Sequence, residues 1–169
     1  MEIFKFGGAS VKDAAGVKNV LEVLKTVGHE NVLLVISAMG KTTNALEIVI
    51  KNYFDKSNEL YASLQDIRKY HNQILLDLFE DEEHEVFFDI NAHFDDLEYF
   101  VRSNKSPNYP FVYDQIISIG ELVSTTIVSH YLNFAGISNQ WLDVRQYIKT
   151  DNNYRDANVD WDHTQKLIS

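Results

Sequence analysis

No cysteine occurs anywhere in the chain. Disulfides, thiolate metal sites and a cysteine nucleophile are excluded together. Proline is almost as scarce: only Pro107 and Pro110 are present, and the stretch from Asn44 to Asn104 lacks both proline and glycine. Basic side chains are in the minority, with 15 Lys and Arg against 25 Asp and Glu, for a net charge of −10. A surface of that sign argues against nucleic acid or an anionic membrane as partner. Between Asp77 and Glu98 ten acidic residues occur without one Lys or Arg, and such a run reads as a solvated face. Any anion site must therefore be assembled from a few local groups. No apolar run approaches transmembrane length, and the N-terminus enters a strand directly. No leader is read, and a cytoplasmic location is expected.

What remains is ordinary for a globular domain. With 169 residues, 45% of them hydrophobic, the chain can bury roughly two-thirds of its unfolded surface. Ile3, Phe4 and Phe6 predict a first strand over Glu2–Phe6. Val17, Val20, Leu21, Leu24 and Val27 recur at helical spacing, which predicts a helix from about Val11 to near Gly28. The run "NVLLVIS" predicts a second strand, buried on both faces as parallel strands are. Strand, helix and strand in this order make a right-handed βαβ unit. Residues 44–104 predict a helical lobe of two or three helices within a single domain spanning 1–169, with breaks near "FDKSN" and "EDEE". Pro110 suits the first turn of the next helix. The apolar stripe of that helix runs through Ile116, Ile119, Val123, Ile127, Tyr131 and Phe134, and Gly136 ends it. "SNQWLDV" predicts a third strand, "RQYIKTDNNYRDANV" an irregular or hairpin excursion, and "DWDHTQKLIS" the opening of a further helix. The fold class is α/β with a mainly parallel sheet. Three strands followed by a helix cut within two turns read as an incomplete domain.

Two glycine turns hold the candidate chemistry. In "KFGGAS", Lys5 stands two residues ahead of Gly7 and Gly8. A strand, a glycine turn and a helix start form a phosphate cradle, because glycine lets backbone N–H groups approach an anion and the helix end adds positive potential. By itself the stretch reads more readily as a tight turn with a solvent-facing lysine. The second turn, "SAMGKTTN", contains Gly-Lys-Thr, but a P-loop needs a glycine five residues before Gly40, where Val35 stands. Ser37 ends the strand there, and Thr42, Thr43 and Asn44 open a helix, where N-capping is their routine role. Both turns follow the carboxyl ends of parallel strands, the edge at which open α/β sheets bind ligands. Lys5, Gly7, Gly8, Ser37 and Thr43 are therefore expected to line one crevice. Glu121, in "SIGELVS", lies about 200° around its helix from Ile119 and alone reads as a solvated glutamate. Gly120 costs ~1 kcal/mol against alanine inside a helix, which signals close approach of another backbone or a ligand. Asp143 and Arg145, at the end of the third strand, read as a structural ion pair in preference to crevice groups. His71, His84 and His93 share no metal-ligand spacing and read as surface or satisfied histidines. No G-x-G-x-x-G follows the first strand, so a dinucleotide binder is set aside.

Taken together, "KFGGAS" at 5–10, "SAMGKTTN" at 37–44, "SIGELVS" at 118–124 and "DVRQYIKTDNNYRDANV" at 143–159 resemble the aspartate kinases of the amino acid kinase family. Four motifs in the family's order span the whole chain, with one departure: Ala9 stands where the family usually has threonine. The resemblance implies a three-layer αβα sandwich and phosphoryl transfer from ATP, with magnesium held through its phosphates, to the side-chain carboxylate of L-aspartate. That reaction opens lysine, threonine and methionine biosynthesis. It further implies that Lys5, with Gly7, Gly8 and Ser10, meets the transferring phosphate. Ser37 and Thr43 would contact the amino acid, Glu121 would bind its α-ammonium group, and the full-length protein would be a homodimer. The family's Gly-Arg-Gly-Gly-Ser-Asp-like segment, its adenine site and its regulatory ACT domains have no counterpart here. The chain is thus expected to be part of a longer kinase and inactive alone. Two readings stand beside it: a kinase for glutamate or a related carboxylate, and a non-catalytic assembly module.

Overall fold

The computed structural model describes residues 1–169. Two strands, β1 (Glu2–Phe6) and β2 (Val32–Ile36), pair in parallel with Phe4 opposite Leu34 and Lys5 opposite Val35. Between them run a four-residue 3-10 turn, Gly8–Val11, and helix α1 (Ala14–Val27). The helix begins three residues later than periodicity predicts, because the Asp13 carboxylate accepts the Gly16 N–H and caps it there. Gly28, at φ 98°, closes it. Helices α2 (Thr42–Phe54), α3 (Leu60–Leu78) and α4 (Glu85–Ser103) form the predicted lobe, with breaks at both expected places. Helices α5 (Tyr109–Ile117) and α6 (Ile119–Phe134) divide at Ser118 what reads in sequence as one helix. Asn108 caps α5 with Pro110 in its first turn. Tyr109–Phe134 contains an 18-residue window that, at a mean hydropathy of 1.2, meets the length and composition of a membrane span, and 56% of that window is buried inside the protein.

One continuous apolar core runs from Val11 through the lobe residues Leu64, Ile74, Ile90 and Leu97 to Leu132. Lobe and sheet helices thus share a single interior. On the sheet, Phe4, Phe6, Val32, Leu34 and Ile36 turn toward this core. The opposite face is open, contrary to the expectation of burial on both sides: Ile3 is 61% exposed, Val35 43% and Leu33 39%. Lys5 alternates onto this open face with Ile3.

The third predicted strand does not form. "SNQWLDV" pairs with no strand, and Val144 already belongs to a 3-10 turn. Its polar groups are met by helix α6 instead: Asn139 bonds with Ser129 and Asn133, and the Trp141 indole N–H donates to Thr125 Oγ1 at 2.9 Å. The excursion after it is hairpin-like, closed by an antiparallel bridge between Thr150 and Val159, and α7 (Trp161–Ile168) follows.

Candidate active site

Both turns leave the carboxyl end of the sheet and touch each other. The Gly40 N–H donates to the Gly8 carbonyl at 2.9 Å, and the Ser37 N–H to the Phe6 carbonyl at 3.0 Å. The approach is so close that a Cβ on Gly8 would lie 2.5 Å from the Ala38 carbonyl oxygen. That is why glycine is required there. Gly7 is different, since its extended φ of −75° suits any residue and a Cβ would meet nothing within 4 Å.

A third segment closes on the same point. A Cβ on Gly120, in the first turn of α6, would stand 2.9 Å from Ala38 Cβ and 3.4 Å from Thr42 Cγ2. The glycine read as a sign of close approach is explained by this packing of α6 on the second turn. One turn further, the Ser124 hydroxyl donates to the Ser37 carbonyl at 2.7 Å. Residues 8, 37–42 and 120–124, scattered through the sequence, thereby form one backbone junction.

Around the junction stand unpaired donors. The N–H groups of Gly7, Gly8 and Ala9 have no backbone carbonyl partner, and neither do those of Thr43 and Asn44. Helix α2 has no side-chain cap. Thr42, read as a capping residue, instead turns its hydroxyl back to the Met39 carbonyl at 2.6 Å. The α2 N-terminus is thus open to an anion. The N-terminus of α1 is not, because Asp13 occupies it. Positive potential at the first turn comes from its free amides and Lys5, rather than from the α1 dipole as the sequence pattern suggested.

The predicted side chains belong to the segments that meet at this junction, and none bonds another. Lys5 is exposed and in no ion pair. Ser10 lies in the 3-10 turn with its N–H donated to the Gly7 carbonyl at 2.8 Å. Ser37 is half-buried, and Thr43 and Glu121 are exposed in the first turns of α2 and α6. Asp143 and Arg145 do form the expected pair, Arg145 Nη2 reaching Asp143 Oδ2 at 2.7 Å, but at a 3-10 turn rather than at a strand end. Hydrogen bonding from Arg145 lowers the Asp143 pKa. Arg145 borders a separate half-open cavity of about 470 Å³ between α4, α5, α6 and the excursion, lined also by His93, Asp114 and Asp151 among others. None of the predicted site residues lines it.

Sequence reasoning left Tyr70 and His71 out of the site. Both belong to α3 and reach the junction from the lobe. His71 is fully buried, with Nδ1 at 2.8 Å from the Ile67 carbonyl and Nε2 at 3.3 Å from Thr42 Oγ1. Burial lowers its pKa to about 4, against a smaller opposing effect of the Ile67 hydrogen bond. The unfolded chain binds the proton near pH 6.5 and the folded one only near 4. His71 therefore stabilises the fold fully above pH 6.5, and that contribution is lost as pH falls toward 4. The loss amounts to roughly 3 kcal/mol. Urea midpoints of the wild type and His71→Gln across pH 4–7 check this: the wild type should fall more steeply with acid, and parallel curves contradict it.

Comparisons with known proteins agree on the family. The amino acid kinase family model matches residues 1–169. Bifunctional aspartokinase/homoserine dehydrogenase 2 of Escherichia coli (strain K12) is 27% identical over 150 residues, covering 89% of this chain and 18% of the relative. Aspartokinase 1, chloroplastic, of Arabidopsis thaliana is 29% identical, over 88% of this chain and 26% of its own. Escherichia coli aspartokinase III, solved in complex with aspartate and ADP, matches at a TM-score of 0.85 and 25% identity, over 99% of this chain and 36% of that one. The chain spans about a fifth to a quarter of the length of these two curated relatives.

Proposed function

Because the chain belongs to the amino acid kinase family, we propose that its glycine turns and the start of α6 supply the amino-acid and phosphate side of an aspartate kinase site. One observation supports this above the rest. Gly8, Ala38 and Gly120 meet without room for a single methyl group, and around them free amides and the uncapped α2 face outward. Packing this close holds the outward-facing donors in fixed positions.

The chemistry follows from charge. An aspartate side-chain carboxylate is already a nucleophile, so no general base is required. Its oxygen attacks the γ-phosphorus of ATP. The new O–P bond forms as the bond to the ADP oxygen breaks, leaving an acyl phosphate and ADP. The barrier lies in holding two anions in line, so positive groups and fixed donors must do most of the catalysis. Lys5 and the amides of Gly7 and Gly8 neutralise the transferring phosphate, with Ser10 beside them. The α2 end, with Thr43 and Ser37, orients the amino acid. Magnesium would enter on the nucleotide phosphates and offset their charge.

Glu121 then pairs with the substrate ammonium group. Glu121→Gln is expected to raise KM for aspartate roughly 10–100-fold, the worth of a hydrogen bond to a charged group, with kcat within about threefold. Steady-state kinetics on the full-length polypeptide measure this. An unchanged KM would return Glu121 to the solvated glutamate that it resembles in isolation.

A further inference from the structure

Helix α3 reaches the junction with two adjacent residues, and their bonds are specific. The Tyr70 hydroxyl donates to the Lys12 carbonyl, just past the first turn. The same oxygen overhangs Gly40 in the second turn, where a Cβ would lie 2.7 Å from it. Burial, and after it the Asp13 charge, raises the Tyr70 pKa, so the phenol stays a donor. Gly40 has a left-handed φ of 55° and no side chain, which admits the phenol oxygen. Next to it, His71 meets Thr42, whose methyl group faces Gly120. A carbonyl only accepts, so the neutral ring must donate its Nδ1–H to Ile67. Nε2 is left as an acceptor toward the Thr42 hydroxyl, which also has the Met39 carbonyl within reach.

We infer that Tyr70 and His71 are positioning residues: from helix α3 they hold the first turn, the second turn and, through Thr42, the start of α6 in mutual register for phosphoryl transfer. The helical lobe is thereby a working part of the site. This rests on the aspartate kinase reading for its kinetic consequence, and on the Tyr70, His71 and Thr42 contacts for its structural one.

Two near-isosteric replacements separate positioning from core filling. His71→Gln puts an amide near the Nε2 position and keeps a partner for Thr42. His71→Asn reaches only the Nδ1 position and keeps the Ile67 bond. In the full-length polypeptide, His71→Asn and Tyr70→Phe should each lower kcat about tenfold, the worth of one positioning hydrogen bond, with KM for aspartate within about threefold. His71→Gln should retain at least half of kcat. Independently of activity, amide exchange at Gly40, whose N–H bonds the Gly8 carbonyl, should quicken about tenfold in His71→Asn and Tyr70→Phe. It should not change in His71→Gln, and Ile127 should exchange alike in all. Equal losses in the Gln and Asn variants, with Gly40 exchange unchanged, would overturn the inference. A wild type inactive toward aspartate would instead sink the kinase reading, while Gly40 exchange would still decide the role of the pair.

Discussion

Replacing Lys5 by alanine in the full-length polypeptide is expected to lower kcat about 10²–10³-fold, the usual cost of removing one preorganised charge from a developing anion. Stability should not change, because Lys5 is exposed and in no ion pair. The lysine shares the uncovered sheet face with Ile3 and Val35, two residues before the free amides of the first turn. On the proposed reading, a point charge there would serve a phosphate lying along the turn. Lys5→Arg should restore little, since a planar guanidinium does not reproduce the reach and compactness of an ammonium. Initial rates with saturating ATP and aspartate, beside thermal melts of each variant, make the check. A Lys5→Ala enzyme within threefold of wild type would leave the lysine as a turn residue without a catalytic role.

The second large effect belongs to Gly8. Gly8→Ala would force a methyl group to 2.5 Å from the Ala38 carbonyl oxygen, with the Gly40 carbonyl at 3.2 Å. Backbone on both sides must move. Overpacking of this kind costs about 1–3 kcal/mol, and the shift would break the Gly40–Gly8 hydrogen bond that sets the register of the turns. Gly7→Ala is the matched control, since a Cβ there meets nothing within 4 Å, and its stability should stay within about 0.5 kcal/mol of wild type. Urea denaturation of the two variants gives the comparison. Equal midpoints would show that the turns can part without cost.

Local pattern made much of the fold legible. β1, β2, the lobe helices and the Pro110 helix start were all readable, because alternation, helical spacing and caps act within a few residues. The open sheet face was not. "VLLVI" states only that its residues are apolar, and burial depends on what packs against them. The failed third strand has the same cause: Asn139 and Trp141 find their partners on α6, and a sequence window cannot reveal that a helix side chain replaces a ladder.

At the site, the residue types in the turns and their meeting at one sheet edge could be read, but the contacts of the junction could not. Gly120 announced a close approach without naming Ala38 as the neighbour. Tyr70 and His71 gave no signal at all. They act 58 and 29 residues away from Lys12 and Thr42, and a tyrosine and histidine on an apolar helix stripe look like core.

Hydroxylamine trapping of acyl phosphate tests the central claim most directly. The 169-residue chain and the full-length polypeptide would each be given ATP, magnesium and, in turn, aspartate, glutamate or N-acetylglutamate. The account predicts hydroxamate from aspartate with the full-length protein, and negligible product from residues 1–169 alone. On the proposed reading, their two glycine turns and the start of α6 would supply only the amino-acid and phosphate side of the cleft. Hydroxamate from glutamate or N-acetylglutamate in preference to aspartate, or from none of the three, would contradict it.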